Sequence, residues 1–162
     1  MHVKVSFPLE VDEDGFPPIR VELLNATQLS PRTFRIENAP FFVPNVSFGD
    51  IVGGEPCGVN GQFQFTSVVE TSEFTSISII LLDTAMDTML MDLLRGFDCV
   101  IEYGEFGVFR VLAVAVPASA NYPALRRQLE GLEADSKLSF SELSVAHAPD
   151  PPNKSLERTR EG

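Results

Sequence analysis

Four stretches in the first part of the chain alternate apolar and polar residues with the two-residue period of a half-buried strand. They are Val3-Lys4-Val5-Ser6-Phe7, Ile19-Arg20-Val21-Glu22-Leu23, Thr33-Phe34-Arg35-Ile36-Glu37 and Gln62-Phe63-Gln64-Phe65. Turn formers separate them: Asp12-Glu13-Asp14-Gly15, Ser30-Pro31-Arg32, the Gly49-Asp50 that opens a short Ile51-Val52 strand, and the glycine-rich run Gly53 to Gly61. Short strands at this spacing predict a small antiparallel β-barrel-like module over residues 1–72.

The pattern changes near residue 74. Ser76-Ile77-Ser78-Ile79-Ile80-Leu81-Leu82 is almost continuously apolar, as a strand buried on both faces would be. Met86, Met89, Leu90, Leu93, Leu94 and Phe97 then recur at helical spacing on one face. Asp83 or Thr84 supplies the cap, Asp87 a favourable charge in the first turn, and Arg95-Gly96 the stop. Two strands follow, Cys99 to Tyr103 and Val108 to Val116, with Gly104-Glu105-Phe106-Gly107 as the hairpin connection. Asn121-Tyr122-Pro123 begins a second helix that buries Leu125, Leu129 and Leu132, and Leu138 to Leu143 alternates as a last strand. Strand, helix, strand, strand, helix, strand is the order of a ferredoxin-like βαββαβ module, here over residues 73–146, with its first and third strands central. The fold class is therefore α+β. Residues 147–162 carry prolines and polar residues without apolar period and are expected to be a disordered tail.

Charge narrows the partners. Among 162 residues, 12 Lys and Arg stand against 23 Asp and Glu, a formal net charge of −11. Such a field repels phosphate backbones, so no nucleic acid is expected, and it attracts a basic protein partner. No apolar run is long enough to span a bilayer and the first residues lack the apolar core of a signal peptide, so no membrane association is expected. Cys57 and Cys99 lie far apart without a CxxC partner, which fits free thiols in a cytoplasmic setting.

Chemistry-bearing residues are few. The two histidines are His2 and His147, both expected to be poorly held, which leaves no fixed imidazole for a nucleophile–base pair or a zinc site. No cofactor and no metal are called for. Cys57 sits in the glycine-rich loop beside Glu55, which would raise its pKa, and that loop lacks the Gly-Lys-Ser/Thr ending of a phosphate loop. Asp12 to Gly15 has its glycine at the wrong offset for a calcium loop and reads as a solvated turn.

Two features remain. Asp83, Asp87, Asp92, Asp98, Glu102 and Glu105 are six acids against the one base Arg95. Of these, Asp83, Asp87, Asp98 and Glu102 are candidate binding residues, either as an acidic docking surface or as a pair converging for acid–base work. Phe41 and Phe42, flanked by Pro40 and Pro44, cannot both point inward along extended backbone. Either they staple the two modules together, or one is exposed at an interface.

Asp12 to Pro18, then Asn38-Ala39-Pro40-Phe41-Phe42, then Gly49-Asp50-Ile51-Val52, in this order, resemble an uncharacterised bacterial family, domain of unknown function 4265. The stretch from Asn121-Tyr122 through Leu129 to Phe140 and Glu142 is similar to that family's C-terminal part. The resemblance spans about residues 3 to 146 and implies a bacterial, cytoplasmic setting, with no activity, cofactor or catalytic residue attached.

The expected function is a non-catalytic binding or regulatory protein, in its sharpest form an immunity-type inhibitor of a basic partner, which would use the sheet face this fold can leave open. The alternative is a small-molecule binder or carboxylate-based enzyme with its site between the modules, lined by Phe41 or Phe42 and a desolvated acid. A third possibility is a homo-oligomer paired through the edge strand at Leu138 to Leu143.

Overall fold

The computed structural model describes residues 1–148; most of the expected tail, residues 149–162, lies outside the described residues. Strands β1 (His2–Pro8), β2 (Val21–Ser30), β3 (Thr33–Ile36), β4 (Ile51–Pro56) and β5 (Gln62–Glu70) form a closed barrel in sequence order. Each successive pair is antiparallel, but β1 and β5 close the barrel in parallel. This corrects a purely antiparallel barrel, and the reason is arithmetic. In an up-and-down ribbon of five strands the first and last run the same way, so their seam must be parallel.

Val5, Phe7, Leu24, Phe34, Ile36 and Val52 fill the barrel, each at most 2% exposed. In β2 the register inverts what its start suggests. Glu22, Leu24 and Ala26 point in, while Val21 and Leu23 are 51% and 44% exposed. The Gly53-Gly54 pair belongs to β4 and is not loop. A Cβ on Gly53 would lie 2.7 Å from Thr66 Oγ1, and one on Gly54 would lie 2.9 Å from the Phe34 ring. Here the missing side chains let neighbouring side chains cross the strand, and the register shifts at this point.

Strand β6 (Thr75–Leu81), a 3-10 turn (Thr84–Met86), helix α1 (Asp87–Gly96), β7 (Val100–Phe106), β8 (Phe109–Val116), helix α2 (Tyr122–Ala134) and β9 (Leu138–Ser144) build the second half. Its sheet runs β7-β8-β6-β9 with every neighbouring pair antiparallel, so β6 and β8, the two apolar runs, are central. One face carries Ile77, Ile79, Leu112 and Val114 under Leu90 and Leu94 of α1 and Leu125 and Leu129 of α2. Each fully buried leucine there contributes roughly 1.5–3 kcal/mol.

Three local expectations are corrected. Asp83 caps the 3-10 turn through Ala85 N–H at 2.9 Å, and α1 starts only at Asp87. Met89 is half exposed, because Leu90 and Leu94 take the central line of contact with the sheet. Gly96 ends the helix as a helical residue, and the left-handed position falls on Asp98 at φ 60°, a conformation Asp tolerates better than most. The β7–β8 turn is also tighter than expected, with Gly107-Val108 between the strands and Gly107 at φ 62°.

The opposite sheet face is lined by small residues: Ser76, Ser78, Ala113 and Ala115, all buried. Small side chains let another segment approach closely, and the chain's own loop between β3 and β4 does so. Ala39 packs with Ala113 and Ala115, flanked by Phe41, Phe48 and Phe74. From the same loop, Val43 and Val46 enter the barrel core. The sheet face expected to be open to a partner is therefore largely covered, and this loop is the shared wall of both halves.

Candidate functional site

The wall is held by two carboxylates. Glu22, on the inner face of β2, accepts the Phe41 N–H on one oxygen at 2.6 Å, and the Phe42 and Val43 N–H groups on the other at 2.9 and 3.2 Å. Glu102, on β7, accepts the Asn38 side-chain amide at 2.8 Å and the Ala39 N–H at 2.9 Å. Asn38 in turn accepts the Asn25 N–H of β2 at 2.7 Å. Pro40 has no N–H to offer, so consecutive donors from Ala39 to Val43 are satisfied by one acid or the other. Burial lifts the Glu22 carboxyl above its ordinary range; the three N–H bonds oppose that rise, and the charge of Glu102 adds to it.

Around this latch lies an aromatic cluster. Phe42 meets Phe16 edge-on at 5.6 Å and Phe106 at 5.0 Å, Phe41 meets Phe106 at 5.1 Å, and Phe16 meets Phe109 at 5.5 Å. Phe41 and Phe42 thus tie barrel to sheet. The Phe41 ring lies over Gly104, where a Cβ would stand 2.9 Å from it.

Where residues 38–41 peel away from β2, a cleft of about 390 Å³ opens between the two halves. Its walls are largely apolar, from Ile19, Val21, Leu23, Phe41 and Phe106, with Asn25 and Asn38 among them, and its ionisable groups are Glu22 and Glu102. Each Glu102 oxygen takes one bond from the wall and keeps lone-pair capacity for another donor. The cleft can therefore receive a cation attached to an apolar body.

Of the residues singled out from sequence, Phe41 and Glu102 line the cleft, and Phe42 lies in the aromatic cluster beside it. The other acids do not converge. Asp83 pairs with Lys137 at 3.1 Å, which holds its carboxyl below the ordinary range with help from the Ala85 N–H. Asp87 pairs with Arg110 at 2.5 Å, Asp92 with Arg95 at 3.5 Å, and Asp98 stands exposed beyond α1. Glu105 accepts the Tyr103 hydroxyl at 2.8 Å. The stretch from Asp83 to Glu105 is thus partly neutralised by the protein's own cations. Glu22 was missed because, at the start of an alternating strand, it reads as the outward polar residue. The adjacent Leu23-Leu24, which breaks that alternation, is the signal that the inward set continues from Leu24.

His147 is better held than its position suggests. Its Nε2 lies 2.8 Å from Pro117 O and its Nδ1 2.6 Å from Thr75 Oγ1. Thr75 Oγ1 already accepts the Ala146 and His147 N–H groups, so its own proton goes to Nδ1 and Nε2–H donates to the carbonyl. The ring stacks 5.2 Å from Tyr122, whose hydroxyl donates to Glu142, itself 3.4 Å from Arg126. Burial and the Glu142 carboxylate raise the Tyr122 pKa. A hollow of about 280 Å³ lies here, but its polar groups are committed to one another.

Among the described residues no group of three His, Cys, Asp or Glu side chains is arranged to hold a metal ion, and no helix is long and apolar enough to cross a membrane. Both cysteines are free: Cys57 donates to Gln62 O at 3.3 Å, and burial pushes the Cys99 thiol up to about 12.

Fold and site together define a mixed α+β protein in which a closed five-stranded barrel and a four-stranded sheet with two helices share one loop as a wall. The model of the family described as Domain of unknown function (DUF4265) matches residues 22–140, and the chain belongs to that family. A solved structure described as a novel crystal structure of a hypothetical protein from Neisseria gonorrhoeae is similar at TM-score 0.71 and 23% identity, over 89% of this chain and 94% of that one. This likeness concerns the fold alone. No curated protein matches the sequence.

Proposed function

We propose that this is a non-catalytic binding protein that engages a basic partner at the cleft between barrel and sheet. One observation carries the reading: the cleft has largely apolar walls, and carboxylates are its ionisable lining groups. The protein's net charge of −11 would favour encounter with a basic partner. A non-catalytic role is supported by the acids themselves, since Glu22 and Glu102 already serve to hold main-chain N–H groups of the wall. The sharpest form is an immunity-type inhibitor of a basic protein in a bacterial cytoplasm, with free cysteines in keeping with that compartment. The strand order β7-β8-β6-β9 supports a ferredoxin-like reading of the second module.

A second reading, a small molecule bearing an amine, is favoured by the cleft volume and by the desolvation of Glu22. Titration of isotopically labelled protein with arginine amide and benzylamine tests the site. Shifts centred on Leu23, Phe41 and Glu102 that weaken with salt and by about tenfold in Glu102→Gln are expected, the loss of one charge-assisted hydrogen bond. Shifts scattered over the surface acids, unchanged in Glu102→Gln, would sink the cleft as the site.

A further inference from the structure

Strand β2 outruns its neighbour on one side. Its pairing with β1 covers Val21 to Thr27, whereas β3 pairs only with Ala26 to Ser30. Along an antiparallel strand successive residues direct their main-chain groups to opposite sides. Gln28 N–H bonds to Met1 O, and Leu9 N–H to Arg20 O, so even-numbered residues of β2 face β1. Odd-numbered residues face the other way: Asn25 accepts from Glu37 N–H and donates to Asn38. Beyond Asn25 the β3–β4 loop turns off toward Glu102. Val21 and Leu23 are left with N–H and C=O groups that point along the cleft wall and have no partner among the described residues.

Open strand edges template the pairing of another strand. On β2 the bare edge is short and lies beside Glu102 and Phe106 in the cleft, with the Val21 and Leu23 side chains exposed.

We propose that the partner's contribution is an extended basic peptide segment that adds as a strand to the Val21–Asn25 edge of β2. Its main chain exchanges hydrogen bonds with Val21 and Leu23, its basic side chains reach Glu102, and its alternate apolar side chains lie against Phe41 and Phe106. The occupant follows from charge complementarity: a net charge of −11 and a cleft whose ionisable lining groups are acids select a cationic segment over an acidic one. This rests on the cleft being the binding site and adds how the partner binds there.

The test is titration of the full chain with a capped peptide of alternating lysine and valine, about eight residues long to match an ordinary strand. The same peptide N-methylated at alternate nitrogens, and one with glutamate for lysine, serve as comparisons. Strand addition predicts slowed amide exchange at Val21 and Leu23, at least about tenfold weaker binding for the N-methylated peptide, and none for the glutamate peptide. Because the key change is in the peptide, misfolding of a variant cannot imitate the result. Met89→Glu, on the half-exposed side of α1, should leave binding unchanged. If the peptide binds in a Glu102-dependent manner but N-methylation changes nothing and the two amides stay unprotected, strand addition is wrong and the cleft reading stands. If neither the peptide nor the small amines shift cleft residues, both fall.

Discussion

Glu22 and Glu102 grip opposite ends of one short segment: Glu22 holds the N–H groups of Phe41, Phe42 and Val43, and Glu102 holds Asn38 and Ala39. One acid belongs to the barrel and the other to the edge of the second sheet, so the segment between them is fastened to both halves. Glu22→Gln puts an amide donor where the segment presents its own donors, leaving at least one buried N–H without an acceptor. The expected loss is about 1–3 kcal/mol by urea unfolding. Glu102→Gln, more exposed, should lose about 1 kcal/mol or less. The double variant should lose less than the sum, because either change frees the same segment. Strict additivity would mean that the two acids act on independent structure.

Burial lifts the Glu22 carboxyl above its ordinary range, so the folded protein holds that proton more tightly than the unfolded chain does. The stability this group contributes is accordingly greatest at acid pH, below its unfolded pKa, and declines as pH rises through the lifted folded value. Comparing urea midpoints of wild type and Glu22→Gln cancels the other carboxylates. The gap between the two proteins should be widest at acid pH and narrow toward neutrality. A gap that widens with rising pH would show the three N–H bonds outweighing desolvation.

Phe41 and Gly104 are in contact because position 104 has no side chain. A Cβ there would stand 2.9 Å from the Phe41 ring and 2.8 Å from that of Phe106. Gly104→Ala should displace both rings and cost about 1–3 kcal/mol by overpacking. Adding Phe41→Leu, which removes ring atoms from the contact, should recover part of that loss, so the double variant sits above the sum of the singles in thermal unfolding. No recovery would place the strain in the β7 backbone and not in the ring contact.

The second half of the fold was legible because its elements carry strong, separate signals. Ile77 to Leu81 and Val111 to Val116 are apolar enough to be central strands, and Asn121 caps α2 through Ala124 N–H as its residue type suggests. The first half was legible as strands but not as a register. In Ile19 to Leu23 a one-residue choice decides which side faces in, and the tertiary need for an acceptor at the Phe41–Val43 wall placed Glu22 inside. The latch and the cleft beside it were legible only in part. Phe41, Phe42 and Glu102 stood out by type, but Glu22 is recognisable only once the loop that meets it is in place. Asp83 and Asp87 stood out for the same reason as Glu102, yet their cations come from Lys137 and Arg110, more than twenty positions away.

Thr75 and His147 show the same blindness at the other end of the chain, and their contact yields a sharp test. Thr75, fully buried at the start of β6, takes two N–H groups on its hydroxyl and gives its proton to the His147 ring, which then reaches Pro117. Thr75→Val keeps the shape but removes the three bonds made by the hydroxyl. About 1–3 kcal/mol of stability should go, and amide exchange at Ala146 and His147 should accelerate well beyond that of the barrel. His147→Ala removes only the ring, so it should cost less and leave the Ala146 N–H protected by the threonine. If both variants release Ala146 equally, the ring and not the hydroxyl is what anchors the chain after β9.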